Sequence, residues 1–192
     1  NSFIPLWMMV IVPRIAAVSY LNTIPFIYGI EHEGNLRAEL LLSPPSLCAK
    51  NFAEHKADIA LVPALAVQLL ADARMVTEYC VGGVPSCREG LLSSSDPLVE
   101  GWKDYGELPF AFAVWVAHAE VDADTVESLQ HALTYGLEHG YEALLDSPFA
   151  ADSAAAYGEL LQFDYIFDNQ KNQALQKFWD SGVKVAPRAN PG

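Results

Sequence analysis

Basic side chains and cysteines are both scarce in this chain of 192 residues. Lysine and arginine together number 11 against 24 aspartate and glutamate residues, and the formal net charge is −13. Proteins that bind nucleic acids or anionic membranes depend on an excess of positive charge, so we expect neither kind of partner. The three cysteines, Cys48, Cys80 and Cys87, have no metal-binding spacing. So few thiols without a pairing pattern are typical of a reduced, cytoplasmic protein.

Long apolar runs and the common cofactor motifs are missing as well. The apolar stretch of residues 3–12 is too short to span a membrane, and it has neither a basic leader nor a cleavage site. No GxGxxG, P-loop or GxSxG sequence occurs, which argues against dinucleotide, nucleoside triphosphate and serine-hydrolase chemistry. The histidines are scattered, and His131 and His139 are too far apart for an i, i+4 pair, so we predict no metal site.

The first half of the chain alternates short apolar strands with helices. This pattern predicts an α/β fold with a largely parallel sheet. Pro25 suits the first turn of a helix that reaches about Ile30, and Ser46 is a candidate N-cap for the next helix. The Gly82-Gly83 pair permits a tight turn. Strands are predicted in residues 9–20, 38–43 and 58–64, and a further helix in residues 65–73.

The second half is expected to be one strand followed by helices. The stretch "LPFAFAVWVA" at residues 108–117 is continuously apolar and predicts a buried strand. Asp122 or Asp124 can cap the helix that follows, in which apolar residues recur at three- and four-residue steps as far as Leu144. Two more helices are predicted near residues 154–161 and 170–180.

Two polar junctions follow predicted strands and are candidates for a binding site. Asn22-Thr23 and Pro63-Ala64 both stand where a strand ends, and ligands of open parallel sheets bind beyond those ends. Asn22 offers a donor and an acceptor, Thr23 a hydroxyl, and the next helix its free N–H groups, which together suit a carboxylate. The alternative is that Asn22 and Thr23 only cap that helix.

A second polar cluster lies in the stretch "EYCVGGVPSCREG". Ser86 could hydrogen-bond to a substrate, and Arg88 could pair with its carboxylate. The alternative is a turn with a surface arginine. Cys87 lacks the adjacent histidine that would make it a nucleophile.

Four stretches carry a family resemblance: "RIAAVSYLNTIPFIYGI", "PPSLCAKNFAEHKADIALVPA", "EYCVGG" and "WKDYGELPFAFAVWVA". In this order they resemble the motifs of the chorismate dehydratases, which open the futalosine route to menaquinone. The resemblance covers most of residues 14–179, more loosely in the C-terminal helices with "YIFDNQKNQALQKFW". It implies an α/β, periplasmic-binding-protein-like (type II) fold with two lobes.

The resemblance also implies an activity and a set of site residues. Members of this family dehydrate chorismate to 3-[(1-carboxyvinyl)oxy]benzoate in the cytoplasm, without a metal or an organic cofactor. Asn22 matches the family's substrate-contacting asparagine and Ser86 its active-site serine, so both are predicted to be catalytic. A monomer or a homodimer is expected. The residues predicted to bind the substrate are Tyr20, Thr23, Pro63 and Arg88.

The chain departs from this family in length. Its 192 residues fall short of a full two-lobed protein, and the shortfall lies near Gly101, so we predict that the second lobe is largely missing. The predicted segments are residues 1–13 as an N-terminal extension and first strand, 14–98 as lobe I, 99–107 as a remnant of lobe II, and 108–192 as a return strand and helices packing on lobe I.

Three other functions remain open from the sequence. One is a module that binds a small carboxylate without reacting it. Another is the sister enzyme of the same pathway, which acts on a cyclic futalosine derivative, although "SYLNT" favours the dehydratase. The last is an inactive remnant, because the predicted deletion would leave the cleft open.

Overall fold

A computed structural model describes residues 12–83 and 109–180. Within these residues one six-stranded sheet is covered by helices, and its strand order is β2-β1-β3-β5-β4-β6. The strands are β1 (Arg14–Ala17), β2 (Glu39–Leu42), β3 (Ile59–Pro63), β4 (Arg74–Gly83), β5 (Phe110–Ala117) and β6 (Asp164–Ile166). The α-helices are α1 (Ile24–His32), α2 (Pro45–Ala53), α3 (Ala123–Glu138), α4 (Gly140–Leu145), α5 (Ser153–Leu160) and α6 (Asn169–Asp180).

One side of the sheet is parallel, as the alternation of strands and helices predicts. β1 pairs in parallel with β2 and with β3, and Ile15 stands opposite Ile59. Most residues of β1 and β3 are buried, because helices cover both faces of the sheet at this point. The carboxyl ends of β1 and β3 therefore lie at the same edge of the sheet.

The other side of the sheet is antiparallel, so the prediction of a largely parallel sheet was wrong. β5 runs antiparallel between β3 and β4, with Leu61 opposite Trp115, and β4 pairs antiparallel with β6. The error has a physical reason. A continuously apolar run indicates that a strand is buried on both faces, but it does not encode the direction of that strand.

Gly82 and Gly83 are the last residues of β4 and do not form the tight turn that such a pair permits. A Cβ atom at Gly82 would lie 2.7 Å from the carbonyl oxygen of Phe110 and 3.0 Å from Cε of Lys171. Glycine is therefore required at position 82 by the close approach of its neighbours, and not by a turn.

The long helix of the second half begins at its predicted cap. Oδ1 of Asp122 accepts a hydrogen bond of 2.6 Å from the backbone N–H of Thr125. The predicted continuation to Leu144 is interrupted at His139, between α3 and α4.

Two local predictions differ from the structure in detail, and one short strand was not predicted. Pro44, not Ser46, occupies the N-cap position of α2, and Ser46 lies inside its first turn. The helix predicted in residues 65–73 is a short 3-10 helix, Ala64–Leu69. The short strand β6 was not predicted, since three residues are too few to show a period.

Two clusters of buried side chains, one on each face of the sheet, form most of the core. One surrounds Phe52 and Phe178, and the other surrounds Phe26 and Trp115. Cys48 and Cys80 are buried as free thiols. In the part of the chain that the structure describes, no helix has both the length and the apolar character needed to cross a membrane.

Candidate functional site

The sheet brings several strand ends together at one edge, which we call the carboxyl edge. β1 and β3 both end there, Pro63 being the last residue of β3. β4 runs in the same direction as β3, because both are antiparallel to β5, so Gly83 lies at this edge too. β6 starts there, with Asp164 opposite Gly82. The carboxyl edge thus combines residues from both halves of the chain.

The connection from β1 to α1 at this edge is a tight turn held by Thr23. The turn contains a three-residue 3-10 helix, Leu21–Thr23. The Thr23 hydroxyl oxygen accepts a hydrogen bond of 3.0 Å from the N–H of Tyr20, and the carbonyl oxygens of Val18 and Tyr20 are in reach of its single proton. Thr23 is buried, and these bonds give it a role inside the turn. Its predicted contact with a substrate stays a prediction.

Asn22 lies in the middle of this turn and uses its backbone and its side chain differently. Its carbonyl oxygen accepts a hydrogen bond of 2.8 Å from the Tyr165 hydroxyl. Its side-chain oxygen Oδ1 is buried and has no hydrogen-bond partner among the described residues. Nearly all buried polar atoms in proteins are paired. Among the described residues four buried side-chain atoms lack a partner, and Asn22 Oδ1 is the only oxygen of the four, which makes it a candidate ligand contact.

Tyr165 was not identified from the sequence, although it contacts the predicted site directly. It lies in β6, and its ring packs edge-on against Phe26 of α1, with 5.3 Å between the ring centroids. Burial raises the pKa of the Tyr165 phenol, so the hydroxyl stays protonated and donates at neutral pH. No local pattern could have found this contact, because it joins residues that are distant in the sequence.

Lys171 of α6 is a second residue that the sequence did not point to. Its side chain is fully buried, with Nζ 2.6 Å from Oδ2 of Asp164 and 3.5 Å from Oδ2 of Asp168. The N–H of Lys171 also donates to Asp168, and this backbone bond is the main cause that lowers the pKa of the Asp168 carboxyl. A buried ammonium needs such partners, so these contacts tie α6 to the start of β6.

The other predicted site residues have different settings. Tyr20 is 53% exposed beside the turn, and Pro63 is partly buried at the end of β3. Ser86, Cys87 and Arg88 lie outside the described residues, as does the predicted splice near Gly101. The predicted roles of all of these residues stay predictions.

A shallow cleft of about 410 Å³ lies elsewhere, between β4 and the start of α3. It adjoins Arg74, at the amino end of β4 and therefore away from the carboxyl edge. Two of its polar side chains have structural partners, since Arg74 donates to the carbonyl of Val121 and Gln130 accepts from the N–H of Glu78. The described residues contain no cluster of three His, Cys, Asp or Glu side chains that could hold a metal ion.

Comparison with protein families finds a match in the first half of the chain. Residues 13–97 match the family model described as menaquinone biosynthesis. This part of the chain is similar to that family. The resemblance seen in the motifs is therefore confirmed at the level of this family. The matched range covers less than half of the chain and ends just before Gly101. All six predicted site residues lie inside it, whereas Tyr165 and Lys171 lie beyond it.

Solved structures confirm the fold class. A protein of Archaeoglobus fulgidus superposes with a TM-score of 0.69 at 12% identity, over 88% of this chain and 95% of that one. A conserved Candida albicans protein with the generic periplasmic binding protein fold gives 0.60 at 11% identity, over 92% of both chains. A Bordetella bronchiseptica protein gives 0.54 at 12% identity, over 88% of both. A search of curated proteins found no match. At these identities the structural likeness shows the fold alone.

Proposed function

We propose that this protein is a lyase that dehydrates chorismate to 3-[(1-carboxyvinyl)oxy]benzoate, the first step of futalosine-dependent menaquinone biosynthesis. Support comes from the match of residues 13–97 to a menaquinone-biosynthesis family and from the resemblance of "SYLNT" and its companion motifs to chorismate dehydratases. The observation that carries the proposal is the unpaired amide oxygen of Asn22 at the carboxyl edge.

The reaction depends more on positioning of the substrate than on a strong base. One ring C–H bond and the ring C–OH bond break, the proton and the hydroxide leave as one water, and the ring becomes aromatic. No electrons are gained or lost, so no oxidant or reductant is needed. Because aromatisation makes the step strongly downhill, fixing the substrate with hydrogen bonds supplies most of what the enzyme must contribute.

Asn22 would orient the substrate and would not move the proton. An amide is neither acidic nor basic at neutral pH, so Asn22 can only donate and accept hydrogen bonds. We propose that a carboxylate of chorismate itself takes the proton, as the family resemblance implies. Ser86 would complete the site as its second catalytic residue. Tyr20, Thr23, Pro63 and Arg88 would bind the substrate. The reaction needs no cofactor in this proposal.

The test is direct product detection. Purified protein is mixed with chorismate, and liquid chromatography with mass spectrometry follows a product lighter by one water. Asn22→Ala should lower kcat/KM by about 100-fold, the loss seen when one positioned hydrogen-bond partner is removed from an active site. Asn35→Ala is the matched control, because its amide bonds to Glu33 in an exposed loop, 2.6 Å away. Full turnover by Asn22→Ala would remove the main support for the proposal.

The second candidate is a module that binds a small carboxylate without reacting it. It is favoured by the likeness to the Candida albicans protein with the generic periplasmic binding protein fold. Calorimetry with chorismate separates the two, since this candidate predicts saturable binding with no product. If the protein neither binds chorismate nor turns it over, it is an inactive remnant. We further propose a cytoplasmic monomer or homodimer.

A further inference from the structure

We propose that Tyr165 is a positioning residue that fixes the side-chain amide of Asn22 for substrate, and that the Lys171–Asp164 ion pair holds Tyr165 in place. This inference rests on the proposed role of Asn22 and deepens it. It assigns a part in the site to β6 and α6, which lie outside the family match.

The turn around Asn22 needs an anchor from outside. A three-residue 3-10 helix has poor hydrogen-bond geometry and few bonds of its own. Thr23 closes the turn on itself through bonds to residues 18 and 20, but it makes none to Asn22. The Tyr165 hydroxyl supplies the missing restraint, because it bonds to the carbonyl of Asn22 at 2.8 Å. Because this bond restrains the Asn22 backbone, it also limits the positions that the Asn22 side chain can take.

Tyr165 is itself held on two sides. Its ring contacts Phe26 of α1 and lies 6.1 Å from the ring of Phe163, centroid to centroid. The preceding residue, Asp164, accepts a 2.6 Å bond from the buried Nζ of Lys171 and a 3.0 Å bond from the N–H of Ile166. These bonds restrain the backbone of β6. The Tyr165 hydroxyl is therefore held within hydrogen-bond distance of the Asn22 carbonyl.

A matched pair of variants isolates the Tyr165 hydroxyl. Tyr79 donates or accepts a bond of the same length, 2.8 Å, with the hydroxyl of Thr134, and its ring lies 6.3 Å from the same Phe26. Tyr165→Phe and Tyr79→Phe therefore each remove one tyrosine hydroxyl next to the same core ring. Only Tyr165→Phe releases the Asn22 turn.

Two measurements test the inference. In ¹⁵N NMR spectra of the full chain, the side-chain NH₂ signals of Asn22 should split or broaden in Tyr165→Phe and stay in place in Tyr79→Phe. Turnover of chorismate should fall by about 10- to 100-fold in kcat/KM in Tyr165→Phe only, because small misplacements of positioned groups cost rate steeply. A merely structural role would lower both thermal midpoints and leave the Asn22 signals unchanged.

The Lys171–Asp164 pair gives a second, independent variant. Lys171→Met should move the same Asn22 signals, whereas Lys56→Met should not. Lys56 also makes a 2.6 Å ion pair, with Glu54, but on the surface. Asn22 signals identical to the parent in both Tyr165→Phe and Lys171→Met would overturn the inference. If the parent protein makes no product from chorismate, the proposed function fails, while the NMR comparison still decides whether Tyr165 positions Asn22.

Discussion

The ammonium nitrogen of Lys171 lies 2.6 Å from Oδ2 of Asp164, and the Lys171 side chain has no contact with solvent. Asp164 is 38% exposed at its side chain, so the pair joins a buried cation to a carboxylate that still reaches water. This arrangement connects α6 to the strand that carries Tyr165.

The first prediction concerns the stability that this pair provides. Lys171→Met should lower the free energy of unfolding by about 1–3 kcal/mol, less than for a fully buried pair, because Asp164 keeps its access to water. Lys56→Met, at the exposed pair with Glu54, should cost less than about 1 kcal/mol. Urea unfolding of both variants measures the difference. Equal losses would show that burial of Lys171 adds nothing to the pair.

The second prediction concerns the contact between α1 and α3. A Cβ atom at Gly29 would lie 1.9 Å from the carbonyl oxygen of Ala132, so the two helices touch backbone to backbone. Gly29→Ala should lower the free energy of unfolding by about 1–3 kcal/mol or more through overpacking. Gly158→Ala is the control, since no heavy atom lies within 4 Å of its added Cβ. This change should raise the helix's stability by about 0.5–1 kcal/mol. Thermal unfolding of the two variants tests the predicted loss and the predicted gain of stability. An unchanged stability of Gly29→Ala would contradict the close packing of the two helices.

The third prediction concerns pH and the Arg14–Asp58 pair. Burial pushes the pKa of the Asp58 carboxyl up, but hydrogen bonds from the Arg14 side chain and N–H outweigh it and leave the pKa below its ordinary value. A lowered folded-state pKa stabilises the fold above the unfolded value, near pH 4, and this contribution disappears as the pH falls through the folded value. Between pH 6 and pH 3 the parent should therefore lose about 1 kcal/mol more than Asp58→Asn, since both side chains are partly exposed and water screens the pair.

Urea unfolding at the two pH values checks this difference. Arg14→Gln provides the second arm, because it removes the cause of the shift and leaves the carboxyl in place. Its pH dependence should resemble that of Asp58→Asn. An Asp58→Asn variant that keeps the full acid sensitivity of the parent would assign that sensitivity to other carboxyl groups.

The fourth prediction concerns thiol reactivity. Burial raises the pKa of the Cys48 thiol to about 11 and that of Cys80 to about 12, so almost no thiolate is present at pH 8. Iodoacetamide should leave both cysteines unmodified in the native protein and modify both in urea. Peptide mass spectrometry distinguishes the sites, and rapid labelling of either in the native state would contradict its burial.

Local patterns in the sequence correctly predicted several elements. β-branched and small apolar residues marked β1 and β3, and proline at position 25 marked the start of α1. Asp122 capped α3 as expected, because an N-cap is a contact between residues three apart. Motif resemblance went further and indicated the menaquinone-biosynthesis family, since "SYLNT" and its companions are specific strings.

The direction of β5, the closeness of Gly82 to Lys171, and the bond from Tyr165 to Asn22 were decided only by tertiary structure. The hydroxyl of Tyr165 reaches a carbonyl 143 residues earlier in the chain. Such a contact leaves no periodic or spacing signal, because it depends on how strands order themselves in the sheet. The sequence by itself determined that Asn22, directly after β1, could present an amide at the carboxyl edge. The fold decided which distant side chains hold that residue, because packing joins positions that no local pattern relates.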